Sequence, residues 1–283
     1  MNRLNGKTCL VFGGGSVGGE INNGLAAAIT YAREGARVVI VDHQEEAVTE
    51  GIKRVQAECE LAGIEPMAVG LVGDVTSDTS VRTVVERTIA ESGRIDVLHN
   101  NVGIALMGGP IEQTLEEWDL TLNVNLTSMF LTCKYVLPHM LAQGSGSIIN
   151  IGSVGGMRYI GYNYPSYSAT KGAVTQFTQN IALEYASRGI RANTVAPGYI
   201  NTPMIYRQIN SLYDSVDDMI AARDALSPTG RMGNSFDVAN AALFLASDES
   251  RYVNGVCIPV DGGLVQSSAP PVQGHTQGAR LYS

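Results

Sequence analysis

Tyr167-Ser168-Ala169-Thr170-Lys171 sets a phenol and an ammonium four residues apart. On a helix that spacing puts both on one face, one turn apart. A nearby ammonium favours phenolate and draws the tyrosine pKa down from about 10 towards neutrality. A phenolate there can take an alcohol's proton. A Tyr–Lys pair of this spacing also arises by chance in many helices, so its surroundings carry the weight. Ser153 stands fourteen residues earlier, just after the apolar run Ser147–Ile151, where its hydroxyl can orient a substrate oxygen. After the next apolar run comes Pro197-Gly198-Tyr199-Ile200-Asn201-Thr202, a turn able to grip a carboxamide with backbone and the Thr202 hydroxyl.

A second constellation lies near the N-terminus. FGGGSVGGEINNG (Phe12–Gly24) holds six glycines in thirteen residues, between the apolar TCLVF and the alanine-rich LAAAITYAREG. A strand, a glycine loop and a helix in that order bring backbone N–H groups and a helix N-terminus against a phosphate; the alternative is a surface turn. The second apolar run ends at Asp42, whose carboxylate can accept both adenosine ribose hydroxyls and would repel a 2′-phosphate. The loop carries no Arg or Lys, and His43 is the one possible cation directly after Asp42. This favours NAD over NADP. Asp42 could instead cap the helix that follows. Gly73-Asp74-Val75 ends the third strand, where Asp74 can meet an adenine amino group. Asn100-Asn101-Val102-Gly103 ends the fourth, where small residues admit close backbone approach.

These residues need a frame that sets strand ends side by side. Apolar, β-branched runs recur at Thr8–Phe12, Arg37–Val41, Met67–Val72, Ile95–His99, Ser147–Ile151, Ile190–Val195 and Val256–Val260. Helical patterns lie between them at Leu25–Gly35, Glu45–Leu61, Ser80–Glu91, Glu116–Leu141, Tyr167–Ser187 and Phe236–Ser247. Continuous apolar strands alternating with helices predict an α/β fold with a parallel sheet covered on both faces. Crossover handedness makes it doubly wound, with the ligand crevice at the strands' carboxyl ends. The chain therefore reads as one Rossmann-like domain over residues 1–264, with a mostly parallel seven-stranded sheet. Within it, Pro197–Arg231 breaks the rhythm and suggests a substrate lid. Residues 265–283 form a polar tail with no period, either an arm or a solvated end.

The bulk numbers narrow the partners. The 283 residues are 45% hydrophobic and 16% charged, within the range of soluble globular proteins. A net charge of −8 disfavours nucleic acid and anionic membrane surfaces, both of which need basic patches. No apolar run approaches the ~18 residues of a spanning helix. Cys9, Cys59, Cys133 and Cys257 are scattered, as are the four histidines, so no metal or disulfide framework is indicated. Without a signal-peptide pattern at the start, the expectation is a cytoplasmic protein.

Taken in order, the glycine loop, NNVG, Gly152-Ser153, YSATK, PGYINTP and the closing VDGG make the chain resemble the classical short-chain dehydrogenases/reductases over about Gly6–Leu264. The resemblance implies a nicotinamide cofactor and interconversion of secondary alcohols and ketones. It makes Tyr167 the general acid/base, Ser153 the group polarising the substrate oxygen, and Lys171 a ligand of the nicotinamide ribose. Asn125 would hold a water linking Lys171 to solvent, or merely kink its helix. A homotetramer is also implied. The glycine loop departs from the family's G-x-x-x-G-x-G: its first glycine is Gly13 and its last Gly24, about five residues too far apart. In this enlarged turn Gly13 and Ser16 keep the role at the strand end, with Glu20 pointing outward.

The cofactor-binding set is thus Gly13, Ser16, Asp42, Asp74, Val75, Asn101, Gly103, Tyr167, Lys171, Pro197, Gly198, Ile200 and Thr202. Substrate contacts are expected from Met107, Ser153, Val154, Tyr164 and Met204. Leu106, Met157, Tyr159, Tyr162 and Tyr206 are further candidates. They describe an apolar pocket edged by phenols, suited to a small ring or branched secondary alcohol. Rival readings are a 3-oxoacyl-thioester reductase, which would favour NADP and a basic docking face, and a non-catalytic NAD-binding regulator.

Overall fold

The protein is described by a computed structural model over residues 2–208 and 212–268. Its elements follow the chain as β1 (Thr8–Phe12), α1 (Asn23–Arg33), β2 (Arg37–Asp42), α2 (Glu45–Glu60), β3 (Met67–Val72) and α3 (Asp78–Ser92). Next come β4 (Val97–Asn100), α4 (Leu115–Leu122), α5 (Ser128–Gln143), β5 (Gly146–Ile151), α6 (Pro165–Tyr185) and β6 (Ile190–Pro197). The chain continues through β7 (Ile200–Asn201), α7 (Pro203–Gln208), α8 (Val216–Leu226), β8 (Gly233–Asn234), α9 (Ser235–Ala246) and β9 (Cys257–Val260).

Seven strands form one sheet in the order β3-β2-β1-β4-β5-β6-β9, every neighbouring pair parallel. The chain winds outward from β1 in one direction and then, from β4, in the other. The reversal between β1 and β4 opens a crevice at the carboxyl edge. Both sheet faces are buried, which is why the strands read as unbroken apolar runs. Cys9 and Val11 of β1 join α1, α2 and α9 in one core layer. Leu10 and Phe12, alternating with them, join residues of α3, α5 and α6 in the other. Alanines on α1 (Ala26, Ala27, Ala28, Ala32) and α9 (Ala239, Ala242, Ala246) share the first layer, where small side chains let helices approach closely.

Register fixes what lies along the crevice. Phe12 is level with Val41 on one side and with Asn100 on the other. Gly13, Asp42 and Asn101 therefore emerge together. Ile151 is level with Val195, bringing Gly152-Ser153 and Pro197-Gly198 to the same edge.

One expectation is corrected and one alternative falls. The helix predicted over Glu116–Leu141 is two helices joined by a π turn, Asn123–Thr127. The wider turn carries Asn125 fully inward. Asp42 is not a helix cap either: α2 takes Gln44 as its N-cap residue, and Asp42 Oδ1 only meets Gln44 N at 3.4 Å. The segment expected as a lid contains α7 and α8, with β7 and β8 paired at its base. The tail begins with a short turn, Leu264–Gln266, held by Arg158 Nη1, which donates to Leu264 O and Ser267 O at 2.7 Å each. Residues 269–283 of the expected tail lie outside the described residues.

Candidate active site

The glycine loop is shaped by close approach. Gly13 leaves β1 with φ +77°, and its N–H donates to Val41 O at 2.8 Å. The first turn of α1 lies directly on it: a Cβ on Gly24 would fall on Gly13 O and 2.7 Å from Asn101 Nδ2. Gly24 thus holds the role expected of the last loop glycine. A Cβ on Gly15 would stand 2.9 Å from Asp42 Oδ2, so the loop rests against that carboxylate. Asn22 caps α1 through Leu25 N (2.9 Å) and ties the loop back through Nδ2 to Gly15 O (2.7 Å). Ser16 is turned inward: its hydroxyl donates to Glu20 O and its N–H to Ala47 O. Glu20 is exposed, facing Arg207 at 3.4 Å.

This edge can hold an extended dinucleotide. Gly13, Asp42 and Asp74 lie at or just past the ends of three adjacent strands, β1, β2 and β3. The α1 N-terminus offers N–H groups that have no intrahelical acceptor. Asn23 Oδ1 is buried without a partner, and Asn22 and Asn23 both line the cleft that continues towards Tyr167. Asp74 Oδ1 accepts from Thr76 N and Oγ1, and Val75 is packed into the core.

That cleft brings together Asn101, Gly103, Ser153, Tyr164, Tyr167, Lys171, Pro197, Gly198, Ile200, Thr202 and Met204. Two glycines in contact, Gly156 and Gly172, let α6 close onto the turn after Ser153; a Cβ on Gly156 would lie 2.8 Å from Lys171 O. Because α6 begins at Pro165, Tyr167 sits in its first turn. There the helix dipole favours negative charge.

Tyr167 is half-buried at the cleft wall; desolvation there pushes its pKa up, while a hydrogen bond with the Ser153 side chain pulls the other way. The expected pull from Lys171 is therefore not what governs the phenol. The Lys171 ammonium donates to Ile151 O at 2.8 Å and lies 5.7 Å from the Tyr167 ring centroid. Burial lowers its own pKa to about 8. Asn125, beneath them, accepts from Ile104 N (2.8 Å) and donates to Ile104 O (2.9 Å) and Thr170 Oγ1 (3.1 Å). It pins the loop after β4 to α6. A Cβ on Gly103 would stand 3.2 Å from Lys171 Nζ and 3.4 Å from Asn125 Oδ1, so a side chain there would press on both groups.

The other substrate candidates divide. Tyr162 lines the cleft and stacks on Tyr164, whose ring meets Tyr167 edge-on at 5.0 Å. Val154 is buried in a cluster with Tyr199, Ile205, Met219, Met232 and Leu264 rather than at the cleft wall. Met107 is exposed and outside the lining, and Met157 and Tyr159 line a neighbouring groove. The Tyr206 hydroxyl donates to Asn201 Oδ1, and Leu106 O accepts from Gln113. Arg223 of α8 enters the cleft unannounced. Its signal was available: it follows Met219 by four residues, a cation on the buried stripe of a helix.

A family model described as Enoyl-(Acyl carrier protein) reductase matches residues 22–265. The chain is 39% identical over 262 residues to 2,5-dichloro-2,5-cyclohexadiene-1,4-diol dehydrogenase LinX of Sphingobium indicum, covering 93% of this chain and 97% of that one. It is 38% identical to the 3-oxoacyl-[acyl-carrier-protein] reductase FabG of Thermotoga maritima, covering 93% and 99%. A crystal structure from Burkholderia xenovorans, described as a short-chain dehydrogenase/reductase, superposes with a TM-score of 0.89 at 40% identity, covering 95% and 100%.

Proposed function

The chain belongs to the short-chain dehydrogenase/reductase family, a family of oxidoreductases, and from that premise we propose an NAD-dependent dehydrogenase that interconverts a small cyclic or branched secondary alcohol and its ketone. The observation that carries this reading is the convergence of Ser153, Tyr167 and Lys171 in one cleft whose lining reaches Asn22 and Asn23 at the end of the glycine loop. When bound, the oxidised dinucleotide supplies the hydride acceptor and a positive charge that favours the phenolate. Tyr167 takes the hydroxyl proton, helped by its place in the first turn of α6 and by Ser153. Ser153 also orients the substrate oxygen. Lys171, held by Ile151 O, would hold the ribose beside Tyr167, and Asn125 keeps the Ile104 loop against α6. Asp42, resting on Gly15, would take the adenosine ribose hydroxyls. Asp74 and Val75, at the end of β3, would flank the adenine.

A ring-shaped substrate is supported by the similarity to a cyclic diol dehydrogenase and by the phenol-edged cleft. The second reading, a 3-oxoacyl-thioester reductase, is favoured by the Thermotoga maritima relative and by the family model's description. Asp42 and the net charge of −8 count against it. The deciding experiment is a panel of secondary alcohols, ketones and 3-oxoacyl thioesters assayed with NAD and NADP, following reduced nicotinamide. Turnover of cyclic alcohols with NAD supports the first reading; thioester reduction with NADPH alone sinks it.

We further infer self-association as a homotetramer. Exposed apolar side chains on α4, α5 and α6, among them Leu115, Leu120, Phe130 and Leu183, offer surface for it. A monomeric mass by light scattering at micromolar concentration would contradict this. A cytoplasmic setting is supported by four free thiols. Among the described residues no helix is long and apolar enough to cross a membrane.

A further inference from the structure

Arg223 is 5% exposed, yet no carboxylate lies within ion-pair distance of it among the described residues. Its partners are weak or neutral. Nη1 donates to Tyr162 Oη at 3.1 Å, Nε points to the thioether of Met232 at 3.3 Å, and the guanidinium lies 4.6 Å from the Tyr199 ring centroid. Nη2 has no hydrogen-bond partner among the described residues. The adjacent acid, Asp224, is turned to the backbone, accepting from Met232 N at 2.6 Å. A buried cation without a counter-ion is costly, and aromatic faces and a sulfur repay only part of that cost.

The described residues of the cleft supply no anion to balance it. Among the described residues lining it, the charged side chains are Lys171 and Arg223, with no Asp, Glu or His. A chain of net charge −8 thus keeps its reaction cleft positive. Lys171 donates to Ile151 O and has its remaining donors assigned to the cofactor ribose, which leaves Arg223 as the group free to receive a substrate's charge. One guanidinium, planar and flanked by the hydroxyl of Tyr162, suits a monoanion with two oxygens in one plane. A phosphate dianion would call for further cations.

We propose that Arg223 receives a carboxylate carried by the substrate, so that the substrate is a hydroxy acid, or its keto acid, rather than a neutral alcohol. This rests on the dehydrogenase reading and names the substrate class of that site. The carboxylate binds at the α8 wall while the hydroxyl-bearing carbon is presented to Ser153 and Tyr167.

The test is calorimetric binding of cyclohexanecarboxylate and of its neutral isostere cyclohexanecarboxamide to the NAD-loaded protein, in the unmodified chain, Arg223→Gln and Arg223→Lys. Far-UV circular dichroism checks that the variants fold, and Arg223→Lys keeps the charge should Arg223→Gln not fold. The carboxylate should bind roughly 10–100-fold more tightly than the amide. That preference should vanish in Arg223→Gln and be partly kept in Arg223→Lys. Equal binding of the two probes by the unmodified protein, or a preference that survives Arg223→Gln, overturns the inference. Neutral alcohols oxidised in a Tyr167-dependent way, with no carboxylate preference, would leave the dehydrogenase reading standing while this one falls. A carboxylate preference without Tyr167-dependent turnover would fault the reaction and uphold the anion site.

Discussion

Lys171 and Tyr167 stand one helical turn apart, but the Lys171 amine donates to Ile151 O at 2.8 Å instead of to the phenol. Burial sets the charge of both: it lowers Lys171 to about 8 and raises Tyr167. A lysine whose folded pKa lies below its unfolded value leaves the unfolded chain holding more protons between about 8 and 10.5. Stability from this group therefore rises with pH across that window. Lys171→Met should remove the rise, worth roughly 3 kcal/mol between pH 7.5 and 10.5. Urea unfolding of both proteins at several pH values measures it. Identical pH slopes would contradict the burial argument.

Tyr167→Phe should fold and lose turnover by roughly 10²–10⁴-fold, the usual scale of general acid/base catalysis. Alcohol oxidation needs the phenolate, so its rate in the unmodified enzyme should rise towards alkaline pH, and ketone reduction should fall. Ser153→Ala removes the hydrogen bond that opposes burial, and should move the oxidation profile further alkaline as well as lowering kcat. An unmoved profile would assign the titration to another group.

Asp42 meets His43 at 3.0 Å and rests on Gly15. Asp42→Ala combined with His43→Arg should turn cofactor preference from NAD towards NADP, read as the ratio of kcat/KM values. A ratio near one in the unmodified protein would argue against the role given to Asp42.

Gly24→Ala drives a methyl group into Gly13 O and Asn101 Nδ2. Overpacking of this kind costs about 1–3 kcal/mol, and here it also moves the loop at the head of α1. The variant should lower Tm and weaken NAD binding together in calorimetry. Gly18→Ala adds no contact but is strained at φ +75°, and should cost stability while leaving the cleft geometry intact. Similar cofactor affinity in the two variants would remove Gly24 from the cofactor argument.

The strand runs, most helix positions and the doubly wound parallel sheet were readable from the sequence because each rests on local pattern; the order of the strands came from the structure. Buried parallel strands need unbroken apolar runs, and a tyrosine and lysine four apart share a helix face wherever that helix lies. Gly24 could be picked out as the last loop glycine by counting back from the helix it opens. Three things depended on distant parts of the chain meeting. The π turn that swings Asn125 inward answers to the loop at Ile104, twenty-one residues away. The phenol's pKa follows desolvation in the assembled cleft, which no spacing reports, so the local pull expected from Lys171 does not govern it. Arg223 acquires its meaning from Tyr162, Tyr199 and Met232 closing around it and from the absence of acids among the described residues lining the cleft, a fact of assembly and not of any one segment.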